Sequence, residues 1–119
     1  MIMKLFDSEL KVMDILWKEG DLTAKQLTLI LGKEVGWNKN TTYTVIKKCI
    51  EKEAIERLEP NFLCHALITK EEVQEQEIDE LVEKIFDGST DLLFASLLSK
   101  RNVPHDMIEE LSRIVQEKE

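Results

Sequence analysis

Lys39, Asn40, Thr41, Tyr43, Thr44 and Lys47 carry the chemistry needed to read a nucleic-acid duplex. An asparagine amide can pair bidentately with adenine, threonine methyls suit the thymine methyl, and lysines reach guanine or phosphate. Asn40, Tyr43, Thr44, Lys47 and Glu51 recur at helical spacing, and so do Thr42, Val45, Ile46, Cys49 and Ile50. That is one amphipathic helix to about Glu53, with a polar face and a face for a core. Residues 35–50 contain Lys39, Lys47 and Lys48 and no acid, so the local potential is positive whatever the chain's total. Lys48, with Lys25 and Arg57 elsewhere, would contact phosphates, which position a protein without specifying sequence. Each residue also has a plainer reading. An exposed lysine is more often merely solvated, and Asn40 competes with Asn38 for the helix cap. Tyr43 either touches the ligand or shields the helix face. Thr42, Trp17 and Trp37 read as packing residues.

Such a helix needs elements to aim it. A first helix is expected from about Ser8 to Lys18, capped by Asp7 or Ser8 and followed by Gly20, with Leu10, Met13, Leu16 and Trp17 as its apolar stripe. Thr23-Ala24-Lys25-Gln26 is a capping-box pattern opening a second helix. Ala24, Leu27, Ile30 and Leu31 are its buried face, and Gly32 is expected to end it. After the polar helix come two strand-like runs, Ala54–Leu58 and Phe62–Ile68, around a tight turn at Glu59-Pro60-Asn61. Three helices and then a hairpin is the winged-helix order.

The remainder reads as helical. Thr69-Lys70-Glu71-Glu72 is a second capping-box pattern, opening a helix to about Phe86 that Gly88 breaks. Residues 91–99 are apolar nearly all round, and Pro104 suits the first turn of a last helix. Fewer than 50 residues rarely make a core alone, so a second copy is expected to cover them. The alternative is packing back on the N-terminal part. The fold class is therefore mainly α: a winged helix-turn-helix domain over 1–68 (three helices plus a β-hairpin) and a three-helix dimerisation region over 69–119. The dimer contacts would come from Leu81, Ile85, Leu92, Leu93, Phe94, Leu97, Leu98, Ile108, Leu111 and Val115.

The net charge of the 119 residues is −8, which at first argues against nucleic acid. Its distribution removes the objection. Residues 1–66 hold ten basic and ten acidic residues, and residues 67–119 hold six and fourteen. No apolar run approaches the ~20 residues of a membrane span, and the N-terminus does not read as a signal peptide, so a cytoplasmic protein is expected. Cys49 and Cys64 sit in apolar segments and read as buried, reduced thiols. No CxxC, no Cys/His cluster and no catalytic constellation is present, and His65 and His105 are isolated. No enzyme, metal or cofactor is expected. The carboxylates Glu71, Glu72, Glu75 and Glu77 read as a solvated face.

Three segments carry a resemblance. Glu9-Leu10-Lys11-Val12-Met13-Asp14-Ile15-Leu16-Trp17 is similar to E-W-x-V-M-x-I-x-W, with Leu10 at the early tryptophan. Leu22-Thr23-Ala24-Lys25-Gln26-Leu27 is similar to V-T/S-A-x-E-I. Residues 41–55, from Thr41 to Ile55, resemble T-x-x-T-L-I-x-R-L-x-x-K-G-x-I. In order and spacing these resemble the penicillinase repressors of the BlaI/MecI type, relatives of the CopY copper repressors, over nearly the whole chain. The resemblance implies a homodimer of winged helices on a pseudo-palindromic operator, its third helix in the major groove. Its genes would be those of β-lactam resistance or related targets, released when a membrane sensor's signal leads to cleavage. The family's cleavage site falls near Ser96-Leu97, where its asparagine–phenylalanine pair is absent. The copper repressors' C-terminal cysteine pairs are absent too. The alternative function is a winged-helix protein-interaction module without DNA binding, which the acidic wing tip favours.

Overall fold

A computed structural model describes residues 2–100 together with Asp106, Glu109, Glu110 and Arg113. The order is α1 (Asp7–Glu19), β1 (Leu22–Thr23), α2 (Ala24–Glu34), α3 (Lys39–Glu51), β2 (Ile55–Leu58), β3 (Leu63–Ala66), α4 (Lys70–Ile85) and α5 (Thr90–Lys100). Helices dominate, and the strands form one antiparallel sheet in the order β1-β3-β2. The chain divides into two compact units, 1–76 and 77–119, so α4 belongs to both.

Local chemistry sets the helix ends. The N-cap position of α1 is Phe6, not Asp7 or Ser8. Phe6 has no side-chain acceptor, so Glu9 does the work from inside the first turn, its Oε1 accepting the Phe6 N–H at 2.7 Å. Glu9 is buried, and the same oxygen meets the Lys52 Nζ at 2.7 Å. Lys52 also donates to the Lys4 carbonyl and lies over the Phe6 ring. This charge pair ties the end of α3 to the start of α1.

The capping box of α2 forms in both directions. Thr23 Oγ1 accepts the Gln26 N–H at 3.1 Å, and Gln26 Oε1 accepts the Thr23 N–H at 2.9 Å. Gly32 does not end this helix. The helix runs two residues further, and the Leu31 carbonyl then collects the N–H groups of Val35 and Gly36, both at 3.0 Å. Gly36, at φ +81°, is the residue that turns the chain.

The stop of α3 differs. Ala54 N–H donates to Cys49 O and Glu53 N–H to Ile50 O, a Schellman pair. The left-handed position within it is Glu53, at φ +61°. Glu53 is also where the resembled pattern has its glycine.

The core of the first unit lies among α1, α2, α3 and the sheet. Val12, Met13, Leu16, Ala24, Leu27, Leu31, Ile46, Cys49, Ile55 and Cys64 are all buried in it. Trp17 packs against the same core and donates its Nε1–H to the Ile68 carbonyl at 2.9 Å; Trp37 packs there too. Burial pushes the Cys49 thiol up to about 12 and the Cys64 thiol to about 11, so both stay protonated and inert. The start of α4 belongs to this unit as well. Val73 is in the core, and Gln76 Nε2 donates to the Ile2 carbonyl at 2.6 Å. Thr69 caps α4, its Oγ1 accepting the Glu72 N–H at 3.0 Å.

In the second unit α4 ends through Asp87 and Gly88, both at positive φ, and Ser89 caps α5. Of the last expected helix, Asp106, Glu109, Glu110 and Arg113 are helical and exposed. Pro104, His105, Ile108, Leu111 and Val115 lie outside the described residues.

Candidate nucleic-acid interface

Helix α3 is held on one side and open on the other. Asn38 is its cap, with Oδ1 accepting the Thr41 N–H at 2.8 Å. That leaves Asn40 out of the cap. Thr42, Val45, Ile46 and Cys49 are buried against the core, with the Thr42 hydroxyl donating to the Asn38 carbonyl. Lys39, Asn40, Thr41, Thr44, Lys47 and Lys48 are exposed. Thr44 Oγ1 donates back to the Asn40 carbonyl at 2.8 Å, which fixes its rotamer. The outward face thus presents three amide or hydroxyl side chains and three lysines on a rigid, capped rod.

Tyr43 is half-buried and points toward the wing, the β2–β3 hairpin. Its ring meets the edge of Phe62 at 5.7 Å between centroids, nearly perpendicular, and the Lys39 ammonium lies 5.8 Å from its centroid. Tyr43 therefore shields the helix and joins it to the wing, with the Lys39 ammonium beside its ring. The turn of the wing is Glu59 to Phe62, with a cis Glu59–Pro60 bond and positive φ at Asn61 and Phe62.

Arg57 is already engaged. Its Nε donates to Glu59 Oε1 at 2.6 Å, and its guanidinium sits 3.7 Å above the centroid of Phe62. The Arg57 guanidinium, with the Phe62 N–H, holds the Glu59 carboxyl below the usual carboxylate range.

The start of α2 is partly occupied too. Lys25 is exposed there, but Ala24 N–H donates to the Phe62 carbonyl and Gln26 N–H to Thr23. Two of the donors a phosphate would use at that helix end are thus engaged within the protein.

The structure brings Lys39, Asn40, Thr41, Tyr43, Thr44, Lys47 and Lys48 onto one helix, with Arg57 linked to it through Phe62 and Tyr43. Lys25 stands apart on α2. The sequence pattern does not single out Phe62 or Glu59 as partners. The Arg57/Glu59 spacing of two at a strand end was the available signal for the ion pair.

On the second unit, Leu81, Ile85, Leu92 and Leu97 are exposed, and Leu93, Phe94 and Leu98 are half-buried. Ser96 and Leu97 lie in the middle of α5, so a protease acting there must first unwind a turn. His65 pairs with Asp21 through Nδ1 at 2.8 Å. Among the described residues no group of three His, Cys, Asp or Glu side chains could hold a metal, and no helix is long and apolar enough to cross a membrane.

Comparison with known proteins bears on this geometry. The model of the family described as "Penicillinase repressor" matches residues 5–117. The chain belongs to that family. It is a family of transcriptional repressors and not of enzymes. The methicillin resistance regulatory protein MecI of Staphylococcus aureus (strain N315) is 23% identical over 117 residues, which are 97% of this chain and 95% of MecI. The penicillinase repressor of Bacillus licheniformis is 22% identical over 118 residues, 98% of this chain and 92% of that repressor. Among solved structures, the DNA-binding domain of the repressor BlaI matches with a TM-score of 0.53 and 26% identity. It covers 57% of this chain and 90% of its own length. The winged-helix fold expected from the element order is thus present. Against the expected hairpin there is one addition, the short strand β1 on the outer side of β3.

Proposed function

We propose that this penicillinase-repressor family member is a homodimeric, cytoplasmic repressor that binds a pseudo-palindromic operator with α3 in the major groove. The observation that carries the reading is α3 itself. Its core face is locked by Asn38 and Thr42, and its outward face is polar, basic and free of acid from residue 35 to 50. A rigid helix with such a face suits base edges at its N-terminal turns. Lys39, Asn40, Thr41, Thr44 and Lys47 would meet bases or phosphates, and Lys48 and Lys25 would meet phosphates. Tyr43 would sit at the margin, holding the wing. The relatives named for penicillinase and methicillin resistance support β-lactam resistance or related genes as the target.

The second copy is supported by the second unit. Leu81, Ile85, Leu92 and Leu97 remain open to solvent on short helices, and an isologous pair would cover them. Induction by a membrane sensor would act through cleavage near Ser96-Leu97, a site without the family's asparagine–phenylalanine pair.

The test is a fluorescence-anisotropy titration against the chain's own promoter and an unrelated duplex at two salt concentrations. Specific binding should be about 10³-fold or more tighter on the promoter and should weaken as salt rises. Lys47→Glu should abolish that preference with the dimer intact. A specific observation favours a second reading, an interaction module without DNA binding: Glu59 offsets the wing's arginine. Equal or absent binding to both duplexes, unchanged by Lys47→Glu, would support it.

A further inference from the structure

Phe62 adopts φ +52° without being glycine, in the left-handed region that side chains with a Cβ disfavour. Four contacts hold it there, one of them the Ala24 N–H donated to its carbonyl at 2.9 Å. Tyr43 packs edge-on to its ring, the Arg57 guanidinium covers the ring, and its N–H donates to Glu59 Oε2 at 3.4 Å. Glu59 therefore grips two members of the cluster at once, Arg57 through Oε1 and Phe62 through Oε2. Both charged side chains remain solvent-exposed, at the tip beside α3.

We propose that Glu59 is a positioning residue of the wing that latches Arg57 onto Phe62 and withholds it from phosphate. This rests on the DNA-binding reading and deepens it. Glu59 takes the Arg57 Nε–H and offsets the guanidinium charge, so a phosphate must compete with the carboxylate for this arginine. While the latch is closed, the wing adds shape but almost no charge. α3 then carries the affinity, and sequence-independent binding stays low. Opening the latch adds one phosphate contact without touching a base.

The experiment measures binding to an unrelated duplex and to the promoter across a salt series. The proteins are the full chain, Glu59→Gln, Arg57→Ala and the double variant. Gln keeps an oxygen for the Phe62 N–H and removes the charge. Glu59→Gln should bind the unrelated duplex severalfold tighter, with the log–log salt slope steeper by about 0.9, one phosphate's worth. Arg57→Ala alone should leave the slope nearly as it is. In the double variant the gain should vanish. In the free protein, the Arg57 Nε–H resonance should shift and exchange faster once Glu59 is Gln. An unchanged slope in Glu59→Gln would overturn the latch, and so would a gain that survives in the double variant or a large loss from Arg57→Ala alone. If the unaltered chain binds neither duplex at low salt, the DNA-binding reading itself fails. That outcome is distinct from any of these, because the resonance still reports whether the pair forms.

Discussion

The two units of this chain bury their apolar residues to very different extents. In the first, α1, α2, α3 and the sheet close over Met13, Leu27, Leu31 and Ile46, none more than 1% exposed. In the second, Ile85 is 67% exposed and Leu92 51%, and Val82 is the buried apolar residue among those described there. The first unit is finished as a monomer. The second has helices with caps and stops of their own but not enough cover for their side chains. Local signals are sufficient to make a helix, yet burial decides whether that helix contributes stability.

One truncation made in both places tests the contrast most severely. Leu27→Ala should destabilise the first unit by about 2–5 kcal/mol, the range for a fully buried leucine. Leu92→Ala should leave that unit's unfolding unchanged, since its side chain fills no cavity in the monomer. Trp17 and Trp37 are the chain's two tryptophans, and both lie in the first unit. Their fluorescence in a urea titration therefore reads the first unit directly. Equal losses from the two variants would break the comparison.

The contrast also marks which features were legible in the sequence. The Thr23–Gln26 box, the two faces of α3 and the turn at Glu59–Asn61 depend on residues a few positions apart, and all three are present. What escaped depends on long range or on competition. β1 is two residues long and exists because Leu22 and Thr23 pair with Cys64 and Leu63, some forty positions on. No periodicity can show in two residues. Gly32 and Gly36 are both plausible stops, and the choice falls where the Leu31 carbonyl can gather several N–H groups. Phe6 is a cap position with no capping side chain, filled from inside the helix by Glu9. At the candidate site the exposure of the lysines follows from spacing. The engagement of Arg57 does not, because it needs Phe62 brought beside Tyr43 by the folded hairpin.

A charge placed on the open side of the second unit comes next in size. Ile85→Asp should weaken self-association by about a hundredfold or more, because each copy would bury an unpaired carboxylate in the proposed interface. Sedimentation equilibrium reads this, and tryptophan fluorescence should show the first unit unaltered. Operator affinity should fall along with the dimer, since two linked half-site contacts become two separate ones. A chain that is monomeric before the change would remove the second copy from the reading. A dimer that survives the change would move the interface elsewhere.

The smallest effect comes from the first unit's one uncorrected strain at a helix end. Glu53 holds the left-handed position of the α3 stop, where glycine bears no penalty for its missing Cβ. Glu53→Gly keeps the Ala54→Cys49 and Glu53→Ile50 backbone bonds, which use no side-chain atom. It should stabilise the first unit by roughly 1 kcal/mol, the left-handed cost offset in part by a more flexible unfolded chain. Tryptophan-detected unfolding should move up while the association constant stays fixed. A gain there with no change in assembly would show that the two units draw their stability from separate sources. A loss would mean that the Glu53 side chain contributes more than its backbone strain removes.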